Sequence, residues 1–463
     1  MSNRLISNLL SAWKGLSSPF SGKRLELSSY LHENEIDALR EKIRACLDSK
    51  GGEVSSRARA AELGKAYLGL NEEGKTKYFS LFLEEFDTDH DQARLTAEKL
   101  FSDLSDDDRG QTEQRLRAQL TPPYLTLLTQ FNALPNGLKF LVDMRGDLIR
   151  LKKENPQLSS IESELKLQLS SWFDIGFLDL KRIDWNAPAS LLEKLITYEA
   201  VHQVESWNDL HHRLAENRRC FAFFHPRMPD EPLIFVWVAL VNELSDNVDT
   251  LLDINQSESI EEDDNTAIFY SISSTQSGLN GVSLGDFLIK RVTDELRREL
   301  PQLNQFSTLS PIPGFAKWLN KTMENPTDSL FTVENRDELS KHTELSIEAI
   351  LEAGDWHDEE QISTAMQSVL APLAARYIVE EKRTGHRALD SVAHFHLSNG
   401  ARVERINWRA DTSDRGKAQS YMMMVNYLYD IDTIEENHEQ YIVHGSIATS
   451  KDVNTLISNT SKE

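Results

Sequence analysis

Residues 267–318, AIFYSISSTQSGLNGVSLGDFLIKRVTDELRRELPQLNQFSTLSPIPGFAKW, leave this chain few ways to fold. Residues 267–274 alternate and are rich in β-formers, which predicts a half-buried strand. Gly278, Gly281 and Gly285 then interrupt the pattern. Leu284, Leu288, Val292 and Leu296 recur every fourth position and predict a helix with one buried face. Residues 305–309 predict a second short strand, which Ser310 ends in front of Pro311 and Pro313. A helix start has unpaired N–H groups and a partial positive charge, and glycines let a phosphate come close to the backbone. The turn Asn280, Gly281, Val282, Ser283, Leu284, Gly285 and Asp286 is therefore a candidate pyrophosphate cradle. It is neither a Walker loop nor GxGxxG, and three glycines before a helix are also ordinary turn and cap residues.

The chain has 463 residues, which favours two domains over one core. Residues 1–172 read as helices and are nearly free of β-branched runs. Ile36, Leu39, Ile43 and Leu47 mark one helical face, and Phe140, Met144, Leu148 and Leu151 mark another. Ser159 and Glu162 have the spacing of a capping box. Asp87, Asp89, Asp91 and Glu98 fit four positions of a calcium loop, but its obligatory glycine is Gln92. An acidic first helical turn accounts for the same residues. From residue 173 the character changes. Residues 221–224 and 233–241 predict strands, the second nearly all apolar and so central. Residues 255–266 predict an acidic surface loop, and residues 326–387 return to helix. Strands are expected at 392–397 and 402–408, joined by a hairpin at Asn399-Gly400.

No apolar run approaches the roughly 20 residues of a membrane span. With a net charge of −24 and no basic cluster, a nucleic-acid footprint is not expected, and an anionic ligand needs a local positive site. Cys46 and Cys220 lie far apart, which suits a reducing compartment. The N-terminal segment lacks acids and carries Arg4, Lys14, Lys23 and Arg24. It reads as a surface helix or tail, with a targeting peptide as the alternative, and cytoplasm is the expected location. No metal motif stands out.

Several blocks together resemble the malonyl-CoA decarboxylase family: FYSISSTQSGLNGVSLGDFLIKRV, FSTLSPIPGFAKWL, EPLIFVWVAL, WFDIGFLDLKRIDW, LLEKLITYEAVH and FHLSNGARVERINWRAD. They run in order over residues 172–429. The resemblance implies an α+β chain. A helical oligomerisation domain (1–172) precedes a GNAT-like, acetyltransferase-type mixed-sheet catalytic domain (173–463) with a helical insertion. It also implies conversion of malonyl-CoA to acetyl-CoA and CO2 by a homo-oligomer, dimer or tetramer, and the glycine turn as the site for the CoA moiety. No organic cofactor is expected, since the thioester carbonyl is itself the electron sink.

Taken alone, Ser310 is a turn serine whose direction Pro311 helps to fix. His396, with His394 two residues before it, lies on the predicted strand, and a lone strand histidine is ordinarily structural. The resemblance carries the family's catalytic serine onto Ser310 in TLSPIPGF and its catalytic histidine onto His396 in HFHLSNGA. A histidine titrating near 6.5 would suit delivery of a proton to carbon. Where relatives carry other residues, this chain has Ser283, Trp237 and His394. Ser413, Arg415 and Gly416 of RADTSDRG read as a loop outside the site. An acyl-CoA-dependent acetyltransferase is the alternative, and a scaffold that has lost catalysis is a third. The Ser310/His396 pair favours the decarboxylase over both.

Overall fold

The computed structural model describes residues 9, 11–13, 25–48, 52–102, 104–282, 284–285, 288–324, 330–354 and 356–460. Arg4, Lys14, Lys23, Arg24, Ser283, Asp286 and Pro326 lie outside these. The chain divides into two compact units. One comprises residues 1–178, 224–231 and 276–283; the other comprises 179–223, 232–275 and 284–463.

The first unit is helical over Glu33–Leu47, Gly52–Leu68, Glu72–Glu85, His90–Leu100, Asp106–Leu120, Pro123–Asn132, Gly137–Leu151 and Ser159–Trp172. No described strand precedes Asp179. The apolar stripes converge on a fully buried aromatic cluster that includes Tyr67, Tyr78, Phe79, Phe82, Phe131 and Phe140. Ring centroids lie 5.7 Å apart for Tyr67–Phe140 and 5.2 Å for Phe131–Phe140, both edge-on, the arrangement aromatic quadrupoles favour. Asp89 caps the helix His90–Leu100 by accepting from the Gln92 N–H, so the acidic run here serves a helix start.

The expected capping box at Ser159 does not form. A 3-10 turn, Pro156–Leu158, leads directly into the helix, which leaves Ser159 already helical and Leu158 at the cap without a side-chain bond. Glu162 turns inward instead and pairs with Arg145 at 2.7 Å and with Lys152. Burial works against its charge, but the hydrogen bonds from Lys152 and Arg145 outweigh this and hold the carboxyl below its ordinary value.

The second unit is built on a mixed sheet, apart from the sheet segment 224–231, which belongs to the first unit. Its strands are β1 (Asp179–Ile183), β2 (Arg218–His225), β3 (Met228–Val241), β4 (Thr266–Ser274), β5 (Gln305–Thr308) and β6 (Ser310–Pro311). A two-stranded hairpin, β7 (Lys382–Arg383) and β8 (Arg387–Ala388), stands apart, and β9 (Arg402–Asn407) and β10 (Met424–Leu428) complete the sheet. The order is β1-β2-β3-β4-β5-β10-β6, with β9 also paired to β10. The apolar β3 is interior, as its composition requires. β4 and β5 are parallel, and the helix Leu288–Glu299 lies between them in sequence. That helix buries Leu288, Val292 and Leu296. A helical insertion, with Val333–Ser340, Ile347–Ala353 and Glu360–Val379, separates β6 from β7.

Two expectations fail here: the stretch read as helix to residue 387 ends in the β7–β8 hairpin, and the other failure concerns the site. Residues 391–398 are a helix, Ser391–Ser398, and no hairpin follows. Asp390 caps it, its Oδ1 accepting from the N–H groups of Val392 and Ala393, both at 2.9 Å. At the other end Gly400 has φ +82°, its N–H donates to Leu397 O, and Ala401 N–H donates to His396 O. A Cβ on Gly400 would lie 2.0 Å from the carbonyl oxygen of Ile434. Asn-Gly is thus a helix stop, and the Asp cap outweighs the β-branched and aromatic alternation that suggested a strand.

Candidate active site

β5 and β6 keep one register along β10, with Ser307 opposite Leu428 and Ser310 opposite Val425, and break only at Leu309. Strand alternation therefore puts Thr308 and Ser310 on one face. Their hydroxyls lie 2.9 Å apart, and Thr308 Oγ1 also accepts from the Tyr427 N–H. The helix Ser391–Ser398 buries Ala393, His396 and Leu397, and this brings the His396 ring to the same place. Ser310 Oγ and His396 Nε2 are 3.0 Å apart. The two residues named from the sequence therefore meet, although the local structure expected for the histidine was wrong. His394 points elsewhere, to the Tyr441 hydroxyl at 2.8 Å, because residues two apart on a helix diverge.

Two tyrosines complete the arrangement. His396 stacks on Tyr427 at 4.6 Å, and its Nδ1 lies 2.7 Å from the Tyr429 hydroxyl. Burial pushes the Tyr429 phenol well above its ordinary value, so it keeps its proton. The row Tyr429–His396–Ser310–Thr308 has two consistent proton arrangements. In one, Tyr429 O–H donates to Nδ1, Nε2–H donates to Ser310 Oγ, and Ser310 O–H donates to Thr308. In the other every donor and acceptor is reversed. Passing from one to the other moves a proton along the row.

His396 does not titrate near 6.5 as expected. Its burial pushes the imidazole down to about 3, so it is neutral at physiological pH. The folded value lies below the unfolded value of about 6.5, so between the two pH values the unfolded state binds the extra proton. The stability this group contributes is full above about pH 6.5 and is lost as pH falls towards 3. Chemical denaturation between pH 7 and 4 should show the wild type losing stability more steeply than His396→Asn. The pH profile of kcat should show no inflection at 6.5 from this residue.

Ser310 and His396 border a cavity of about 240 Å³, walled by Val201, Ile234, Phe269 and Phe395 among others. The Val201 segment is fixed by the Glu199 carboxylate, which accepts from the N–H groups of Val201 and His202 and from Trp237 Nε1. Arg415 donates to the carbonyls of Ala200 and Val201. RADTSDRG thus supports a wall of the cavity, and Ser413 caps the helix Asp414–Ser420.

In the glycine turn, Ser277–Leu279 is a 3-10 turn and Gly281 has φ +75°, whereas the next described helix begins at Leu288. The N–H groups of Asn280 and Val282 already donate to the turn's own carbonyls. Arg145 donates to Gly278 O at 2.6 Å and to Asn280 O at 2.8 Å. Gly278 sits so close to the helix Gly137–Leu151 that a Cβ would meet Val142 O at 1.8 Å. A Cβ on Gly285 would meet the ring of Phe395, a wall of the cavity, at 2.4 Å. If this turn binds the CoA moiety, Gly281→Val should raise KM for an acyl-CoA more than it lowers kcat. Gly281→Asn, which tolerates positive φ, should stay nearer wild type in steady-state kinetics. Equal KM values in the two folded variants would count against the turn.

Residues 176–463 match the family model for the malonyl-CoA decarboxylase C-terminal domain, and residues 86–173 match that for the N-terminal domain. The mitochondrial malonyl-CoA decarboxylase of Anser anser anser is 40% identical over 86% of this chain and 83% of its own length. That of Mus musculus is 41% identical over 75% of this chain and 73% of its own. The crystal structure of malonyl-CoA decarboxylase from Rhodopseudomonas palustris superposes with a TM-score of 0.83 at 39% identity, covering 90% of this chain and 99% of that one. The Agrobacterium vitis structure gives 0.81 at 37% identity, with the same coverage. With both domain models matched in sequence order and about 40% identity sustained over most of its length, this chain is an enzyme of the malonyl-CoA decarboxylase family.

Proposed function

We propose that the chain converts malonyl-CoA to acetyl-CoA and CO2 with Ser310 and His396 as the reacting pair. The observation that carries this reading is the 3.0 Å contact between Ser310 Oγ and His396 Nε2 at the edge of a largely apolar cavity. Apolar walls favour loss of a carboxylate as neutral CO2. The C–C bond breaks, its electron pair passes into the thioester as an enolate, and Ser310, backed by His396, returns a proton to C2. The thioester supplies the electron sink, so the proposed chemistry uses no organic cofactor or metal. Residues 280–286 are proposed to hold the CoA moiety. Incubating purified protein with malonyl-CoA and measuring acetyl-CoA and CO2 in equal amounts tests the reaction. Absence of product from folded protein would overturn it.

We keep residues 1–172 as a proposed oligomerisation domain and 173–463 as the catalytic one. Leu95, Phe101 and Leu120 are exposed in the first, and the helix Asp106–Leu120 buries none of its residues, which supports a homo-oligomer, dimer or tetramer. Light scattering would decide. Among the described residues no helix is long and apolar enough to cross a membrane. Cys46 and Cys220 are free and buried, which suits any reducing compartment; cytoplasm is the one proposed.

A further inference from the structure

Each turnover consumes a proton. Malonyl-CoA and H⁺ give acetyl-CoA and CO2, so once C2 is protonated the Ser310–His396 pair is one proton short. At that moment acyl-CoA fills the cavity in front of it. The structure has a second opening. A cavity of about 260 Å³, sharing no lining residue with the first, is bordered by Tyr429, Ile289, Ser398, Ile434, Glu435 and His438, among others. Glu435 and His438 are exposed, so this space is open to water. Tyr429 thus borders the rear cavity while its hydroxyl lies 2.7 Å from His396 Nδ1, and His396 Nε2 faces the front cavity beside Ser310. Through its opposite ring nitrogens His396 links Tyr429 of the rear cavity to Ser310 of the front one.

We propose that the proton returns from the rear, from water in the second cavity through Tyr429 and His396 to Ser310, while the front cavity is still occupied. This rests on the Ser310/His396 reading. The balance is simple: Tyr429 O–H passes its proton to Nδ1, Nε2–H passes one to the Ser310 oxygen, and water returns a proton to the phenol with hydroxide released to solvent. The low proton affinity of the buried imidazole suits passage in one concerted shift. Tyr429 acts through His396. It is a positioning residue with a second task.

Rapid-quench kinetics of the purified enzyme with excess malonyl-CoA test this. In Tyr429→Phe the first acetyl-CoA should form within about threefold of the wild-type rate, since the pair starts protonated. Later turnovers should slow by roughly 10- to 100-fold, leaving a burst equal to the enzyme concentration. Millimolar imidazole should restore the steady state. A first turnover slowed as much as the steady state would overturn the proposal and leave Tyr429 only a holder of the ring; so would steady-state turnover at the wild-type rate. Should Tyr429→Phe fail to fold, Ser398→Leu fills the rear cavity with Tyr429 intact. It should give the same burst, and single-phase turnover at the wild-type rate would overturn the idea. Failure of the underlying reading looks different: Ser310→Ala would itself turn over normally.

Discussion

Ser310→Ala should cut kcat by roughly 10²-fold or more, about 2.7 kcal/mol of transition-state stabilisation, while KM for malonyl-CoA changes little. Ser310 is buried, 5% exposed, and its hydroxyl is the member of the hydrogen-bonded row that borders the front cavity beside His396. Thr308 lies behind it and bonds the Tyr427 N–H, so it cannot swing forward to replace it. Removing one oxygen from a strand held on β10 should leave melting within a degree or two of wild type. Steady-state assays beside a thermal melt separate the two effects. Near-normal turnover would remove Ser310 from the mechanism.

His396→Ala should have an effect of similar size, and the double variant should be little worse than either single one. The reason is connectivity. Ser310 Oγ has no basic nitrogen within reach other than His396 Nε2 among its described bonds, and the imidazole reaches the front cavity beside that oxygen. Groups that act as one unit lose their joint contribution once, so the two losses should not multiply. A product of the two single losses would mean that each contacts the substrate independently. His396→Ala also empties a buried site stacked on Tyr427, so its stability loss should exceed that of Ser310→Ala.

Much of the architecture was legible in the chain. The helical first part, the apolar interior strand β3 and the run from β4 to β5 carry periodicities that packing merely realises. The segment 391–398 did not, because HFHL alternates like a strand while the deciding information sits in the flanking Asp390 and Asn399-Gly400. Ser310 and His396 were legible only through the family resemblance, since a serine before proline and a lone histidine are locally ordinary. Tyr429 was missed. Its signal was the spacing of two tyrosines in NYLYD at the end of a strand, which sends both rings to one side, where buried hydroxyls require partners. Arg145 had no signal at all, because its carbonyl acceptor at Gly278 lies 133 residues further on.

That last pairing bears on whether the enzyme is modular. Residues 276–283 leave the sheet portion in sequence, join the compact body of the helices, and return. The two family-model matches meet near residue 175, yet a break there would part a buried guanidinium from the carbonyls it holds and from a glycine seated against Val142. The Arg145–Glu162 pair would survive such a break, but each hydrogen bond lost from the guanidinium to a carbonyl costs about 1.5–3 kcal/mol. The C-terminal portion expressed alone would therefore carry a dangling loop where acyl-CoA is proposed to bind. The helices hold that loop in place through Arg145 and Val142, so recombining them with the sheet portion of a distant relative would require the loop to travel with the helices.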